Sequence, residues 1–221
     1  MTKSLEVELL DAAGFRVAFQ AMREPMKGVE DTRTYTEDEN IALAQSLIAK
    51  GDDHAKHMRL AIAWFNIRAP RYFWSEFDTY RVGVEKESGS TMHRLMLDGL
   101  DCSRDCASFH PNEPNHIPQT YQAAEQEINH LCLLWKGAKN AKERNKYLGM
   151  AKKLLPEGYL QTRKLYVSYQ TLRRIYVQRR NHRLREWQEF CDFMETLPYS
   201  ELITLKGYKE RANEPEKEAN D

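Results

Sequence analysis

The chain has little cysteine: four residues in 221, at Cys102, Cys106, Cys132 and Cys191. So few thiols exclude a small domain stapled by disulfides, and they predict free thiols in a reducing cytoplasm. Long apolar runs are missing as well. No stretch of 18 apolar residues occurs, which excludes a membrane-spanning helix by pattern. The opening Met1-Thr-Lys-Ser-Leu-Glu6 lacks the apolar run of a signal peptide. No internal repeat is visible. Net charge is lacking too, with 33 Lys and Arg against 33 Asp and Glu.

What is present is ordinary for a folded protein. Hydrophobic residues make up 41% and aromatic residues 10%, which excludes a disordered chain. The length predicts one domain over residues 1–206, followed by a charged, apolar-poor tail over 207–221.

The zero net charge conceals a split. Between Lys136 and Arg185 there are 15 bases and only two acids, Glu143 and Glu157; the remainder therefore holds 18 bases (33 − 15) and 31 acids (33 − 2). A segment of such excess calls for an anionic partner: a ligand, a nucleic acid, or the acidic remainder of the chain.

Periodicity supplies the elements. Leu5 to Leu10 reads as a strand ended by Asp11 and Gly14, and Phe15 to Met22 as a helix. Glu24 to Thr36 is polar and irregular. Glu37 to Lys50 is a helix with Ile41, Ala44, Leu47 and Ile48 on one face, stopped at Gly51. Arg59 to Ile67 reads as a strand, and Pro70 opens a helix through Tyr80. Gly83, Ser88, Gly89 and Ser90 mark a loop, before a short helix from Thr91 to Leu97 capped by Ser90. Cys102 to Pro118 is a loop. Helices follow over Gln119–Trp135 and Ala141–Leu155, with helical spacing again at Leu165, Tyr169, Leu172 and Tyr176, and at Leu184, Trp187, Cys191 and Met194. Pro198 closes the last. The fold class is α+β: mostly helical, with a small antiparallel or mixed sheet.

Three groupings carry candidate chemistry. Ser88-Gly89-Ser90-Thr91 would cradle a phosphate at a helix N-terminus, or is a plain capped turn. His93, one turn on, reads as a surface residue. Glu76 and Asp78 would bond a base edge or move a proton, or else pair with arginines such as Arg71. Cys102-x3-Cys106-x3-His110-x5-His116 is off the spacing of a zinc site, and no metal is expected.

Two segments resemble the flavin-dependent thymidylate synthases. One is Phe65-Asn-Ile-Arg-Ala-Pro70 followed by Arg71-Tyr-Phe-Trp-Ser-Glu-Phe-Asp-Thr-Tyr-Arg81, at the place of the family's R-H-R-x-x-S-x-N-E-x-S-x-R signature. The other is Leu155-Pro156, Gln161-Thr162-Arg163, Leu172, Arg180 and Glu186-Trp187-Gln188-Glu189, similar to the family's L-P, T-R, L-R and A-Q-W-E landmarks. Val7 to Asp11 is similar to the family's first strand, and His54 to the first His of its H-E-T-P-F-E-H strip. The signature itself is eroded: only Arg81 survives, Val84 and Lys86 replace a Ser and an Asn, and two family asparagines fall near Tyr169 and Ile175.

The resemblance, to diverged phage and bacterial members, implies a cytoplasmic homotetrameric flavoprotein. It implies methylation-type transfer to C5 of a pyrimidine deoxynucleotide monophosphate such as dUMP, with FAD as cofactor and NADPH and methylenetetrahydrofolate as co-substrates. It implies a catalytic Arg180 holding the pyrimidine; a substrate set of Arg81, Ser88, Ser90, Thr91 and Arg71; and a cofactor set of His54, Tyr169 and Glu76. The ordinary alternative for Arg180 and Arg81 is a solvated helix face. Two other functions stay open: a non-catalytic nucleotide binder on the same scaffold, and a nucleic-acid binder using residues 136–185.

Overall fold

The computed structural model describes residues 4–27, 32–91, 93–109 and 116–208. In chain order the elements are β1 (Glu6–Ala13), α1 (Phe15–Ala21), α2 (Glu37–Ala49), β2 (Ile62–Pro70), α3 (Arg71–Phe77), β3 (Val84–Ser88), α4 (Arg94–Asp98), α5 (Cys102–Asp105), α6 (Gln119–Lys136), α7 (Ala141–Leu154), β4 (Leu160–Ser168), α8 (Tyr169–Arg179), α9 (Arg185–Met194) and α10 (Ser200–Thr204). The four strands form an antiparallel sheet in the order β1-β2-β4-β3. The α+β expectation is met.

By packing, the chain divides into two compact units. One holds residues 1–8, 66–80 and 86–164; the other holds 9–65, 81–85 and 165–221. Residues 209–221, most of the expected tail, lie outside the described residues.

The first unit contains the helical hairpin of α6 and α7. Its core gathers Leu95, Ile128, Leu131, Ala151 and Leu155 with three cysteines, Cys102, Cys106 and Cys132. Cys102 and Cys106 therefore face apolar side chains. A hydrogen bond with Cys106, then burial, pushes the Cys102 thiol far up, and burial pushes Cys132 up. His110 of the zinc pattern lies outside the described residues. Among the described residues no three His, Cys, Asp or Glu side chains gather to hold a metal.

The second unit packs α1, α2, α8, α9 and α10. α2 starts where a capping box forms: Thr36 Oγ1 accepts from the Glu39 N–H at 3.3 Å and Glu39 Oε2 accepts from the Thr36 N–H at 2.7 Å. Trp187, Phe190, Cys191 and Met194 form one fully buried stripe of α9, and burial lifts the Cys191 thiol to about 12.

Several expectations need correction. β4 was hidden by the helical spacing of Leu165, Tyr169, Leu172 and Tyr176; Leu165 in fact sits on a strand. Ser168 ends that strand and caps α8 by accepting from the Thr171 N–H at 3.3 Å. The loop expected around Ser88 is instead the edge strand β3, whose Glu85, Lys86 and Glu87 suit an edge. The helix expected from Thr91 begins only at Arg94. α5 interrupts the stretch read as a loop, and α10 falls where no element was expected. Among the described residues no helix is long and apolar enough to cross a membrane.

Gly14 links β1 to α1 with φ +90°, and a Cβ there would stand 2.0 Å from the Leu60 carbonyl oxygen. Gly51 ends α2 with φ +112° and open space around it. Gly51→Ala should cost only backbone strain, about 1–2 kcal/mol, whereas Gly14→Ala adds a clash and should cost clearly more. Urea denaturation of both variants checks the order; equal losses would remove the close-approach argument.

Candidate functional site

In the first unit α3 is fastened to β4. Pro70 is the N-cap of α3 in extended conformation, a geometry proline presets. The Arg71 N–H then donates to the Tyr159 carbonyl at 3.1 Å. The Arg71 guanidinium donates to the Leu155 carbonyl at 2.8 Å and lies 3.3 Å from Glu157. Trp74 Nε1 donates to the Gln161 carbonyl at 2.9 Å. Arg163 stacks over the Trp74 ring at 4.4 Å and bonds Asp78 at 2.8 Å, and Lys86 meets the same carboxylate at 2.5 Å. Asp78 thus pairs with Arg163 and Lys86, not with Arg71. Glu76 is half-buried on the same helix.

Beside this clamp lies a cleft of about 730 Å³, lined by Gly89, Ser90 and Thr91, by Arg68, Arg94 and Arg104, and by Tyr159. Gly89 is pinned to β4: its N–H donates to the Thr162 carbonyl at 2.9 Å, and Gln161 Nε2 donates to its carbonyl at 3.0 Å. Ser90 Oγ meets His93 Nδ1 at 2.9 Å. Thr91 Oγ1 is bonded by the Lys152 ammonium. Burial, then the Arg71 charge, holds the Lys152 pKa below the usual lysine value. Ser88, the last residue of β3, is exposed.

The phosphate cradle differs from the one expected. α4 has five residues and starts past Thr91, so no helix dipole serves Ser88 to Thr91. The cations come from other elements instead. Arg68 donates to the Arg104 carbonyl at 2.7 Å and lies 3.3 Å from Glu6; Arg104 grips Asp105 through two bonds of 2.8 and 2.7 Å; Arg94 lies 3.3 Å from Asp98. The last is an exposed i,i+4 pair, worth a few tenths of a kcal/mol and easily exchanged for a ligand. Sequence reasoning missed Arg68, Arg94, Arg104 and Lys152. The charge split flagged only Lys152, because the three arginines lie outside residues 136–185.

The second unit holds the other candidates. Arg180 follows α8 as its C-cap, bonded to Asp192 and 3.4 Å from Glu195. The hydrogen bond to Asp192 holds its charge even more firmly than usual. Tyr176 donates to the same Glu195 at 2.8 Å. Arg81 is exposed. Tyr169 is fully buried; its hydroxyl donates to the Pro198 carbonyl at 2.5 Å and its ring meets Phe15 edge-on at 5.0 Å. His54 is exposed in the turn after Gly51. Arg71, Glu76, Ser88, Ser90 and Thr91 thus belong to one unit, and His54, Arg81, Tyr169 and Arg180 to the other.

No family model matches the sequence, and no curated protein matches it. Solved structures do. Thymidylate synthase X from Helicobacter pylori, crystallised with FAD and dUMP, is similar with TM-score 0.63 and 18% identity, over 92% of this chain and 98% of that one. The UMP/dUMP methylase PolB from Streptomyces cacaoi, bound with 5-Br dUMP, is similar with TM-score 0.62 and 16% identity, over 93% and 97%. The fold is that of the flavin-dependent thymidylate synthases. The cleft of the first unit offers guanidiniums, hydroxyls and one phenol as donors for a phosphate, beside two carboxylates, Asp98 and Asp105, that already pair with Arg94 and Arg104. A nucleotide monophosphate suits the same donors.

His57, in the second unit, was also missed. It is buried, and neither ring nitrogen has a hydrogen-bond partner among the described residues. Burial lowers its pKa, against a smaller opposing influence of the His54 backbone. The unfolded chain therefore takes up this proton first. The contribution to stability is complete above the ordinary histidine value, about 6.5, and is lost as pH falls from there toward the lowered folded value. Denaturation midpoints at pH 7.5 and 5.5 should differ less in His57→Leu than in the parent; the same difference in both would show that His57 is not the buried titrating group.

Proposed function

We propose that the protein is a flavin-dependent enzyme that modifies C5 of a pyrimidine deoxynucleotide monophosphate such as dUMP by a methylation-type transfer. One observation carries the reading: the likeness in fold runs over 92% of this chain and 98% of a chain crystallised with FAD and dUMP. We place the protein in the cytoplasm as a homotetramer of the phage and bacterial type, with NADPH and methylenetetrahydrofolate as co-substrates. FAD, when bound, supplies the redox and one-carbon chemistry.

The chain supplies charge and position. Arg180 is the residue assigned to the pyrimidine. A guanidinium has five N–H donors, and Asp192 and Glu195 engage one on each terminal nitrogen, so donors remain for a base carbonyl. The two carboxylates also fix the plane of the fork, so little rotamer freedom is lost on binding. Ser88, Ser90, Thr91, Arg71 and Arg81 form the substrate set, in which Thr91 and its Lys152 partner offer a cationic edge to phosphate. His54, Glu76 and Tyr169 form the cofactor set; Tyr169 acts from within the core, by shaping rather than touching.

A second reading is a nucleotide binder without redox chemistry. The pairing of Arg180 with two carboxylates favours it, because that pairing offsets the charge that polarises a pyrimidine.

An absorbance spectrum after incubation with FAD and desalting separates the two. Flavin bands, bleached by NADPH and affected by dUMP, are expected; a colourless protein that still binds dUMP by calorimetry supports the second reading, and one that binds neither ends both. Arg180→Ala should weaken dUMP binding about tenfold or more, as expected for a lost charge-assisted hydrogen bond.

A further inference from the structure

A second concentration of arginine lies in the second unit, where the sequence showed no charge run. Arg16 and Phe19 of α1, Arg23, Arg33, Tyr35 and Tyr199 line a cavity of about 440 Å³. It adjoins another of about 570 Å³ that shares Arg23, Arg33 and Tyr35. Cavities of this size hold small molecules.

Arg16 and Arg23 are left available by the way the neighbouring acids are used. Glu37 lines the cavity and bonds the Tyr199 hydroxyl. Glu24, on the adjoining side, lies 3.6 Å from Lys27. Glu39 is engaged by the cap of α2, accepting from the Thr36 N–H at 2.7 Å and from its hydroxyl at 2.9 Å. Among the described residues neither Arg16 nor Arg23 forms a salt bridge, and the Glu39 carboxylate, which feels the Arg23 charge, is held mainly by Thr36.

Arg23 is also held in one orientation. Its Nε donates to Asn40 Oδ1 at 3.1 Å, one terminal nitrogen donates to the Glu39 carbonyl at 3.3 Å, and the plane lies over the Tyr35 ring at 3.4 Å. The other terminal nitrogen, with two N–H groups, is unused by these contacts. A guanidinium pinned in this way binds an anion with little loss of rotamer entropy. Tyr199, which also lines the cavity, has a left-handed backbone at φ 52° and packs on Phe15 at 4.5 Å and Phe19 at 5.5 Å. A strained non-glycine residue held by its neighbours is a recurrent feature of ligand sites.

We propose that this cavity binds a small phosphorylated molecule, its phosphate on Arg16 and Arg23. The site stands on the second unit alone and does not depend on the flavin reading. Phosphate is the anion of choice because a planar fork and a second guanidinium match its several acceptor oxygens.

The test is calorimetric titration of the full chain at low salt with inorganic pyrophosphate and, separately, with ATP. The parent should bind. The double variant Arg16→Ala/Arg23→Gln should bind at least about tenfold more weakly, the loss expected for charge-assisted bonds, while keeping the parent's thermal midpoint within a few degrees. Arg94→Ala, which alters the cleft of the first unit, should keep the binding that the double variant loses. Similar affinities for the two probes assign free phosphates, and tighter ATP binding assigns a nucleotide; both support the site. Absence of heat with either probe overturns the proposal. So does a double variant that binds both probes as tightly as the parent, or an Arg94→Ala variant that loses all of the parent's binding. Because dUMP and FAD are not the probes, failure here leaves the flavin reading standing, and failure of that reading leaves this site standing.

Discussion

The first unit depends on the clamp between α3 and β4. Asp78 is its centre: one carboxylate receives Arg163 and Lys86, and Arg163 sits over the Trp74 ring. Arg163 is 12% exposed, so its charge is largely removed from water and needs that carboxylate. The arrangement fixes the start of β4, and the start of β4 builds the cleft. Tyr159, Leu160, Gln161 and Thr162 line its wall, and Gln161 and Thr162 hold Gly89 in place. The cleft geometry is therefore a consequence of a salt bridge that has no place in the cleft itself.

Charge works in the same way through the rest of the chain. The stretch from Lys136 to Arg185 looks like a surface waiting for an anion, yet much of its charge is used internally. Lys136 donates to the Leu97 carbonyl, Arg163 meets Asp78, Arg180 meets Asp192, and Arg185 meets Glu189. The acids outside the stretch supply part of the compensation, which leaves net charge a poor guide to where an anion would bind. What matters is which cations lack a carboxylate, and that is a property of folding.

The longer helices and the strand β2 were legible because burial enforces their period. On β2, Ala63, Phe65, Ile67 and Ala69 alternate as fully buried residues, and α6 repeats Ile128, Leu131 and Cys132 on its inner side. β3 was not legible, since Val84 is its one buried residue and hydrogen bonding to β4, not burial, makes it a strand. β4 was masked by the run of helix that follows it at Ser168. The candidate site divided along the same line. Residues carried by the family signature could be named from order alone. Arg68, Arg94 and Arg104 could not, because they come from β2, α4 and α5 and meet only in three dimensions. His57 gave no sign either, since burial without a partner leaves no mark on spacing.

The same division explains how a fold persists at 18% identity while its signature is eroded. A core asks for apolar volume at the right period and tolerates exchange among residues that supply it. A phosphate asks for a few cations in one place, and the chain position from which they come is immaterial. Here guanidiniums on β2, α4 and α5, each paired with a carboxylate, line the first unit's cleft. Asp78, which stands within that signature, is bound by Arg163 and Lys86 and has become part of the framework. Asp78 thus supports the wall of the cleft, and the guanidiniums that line it come from residues that no linear motif connects.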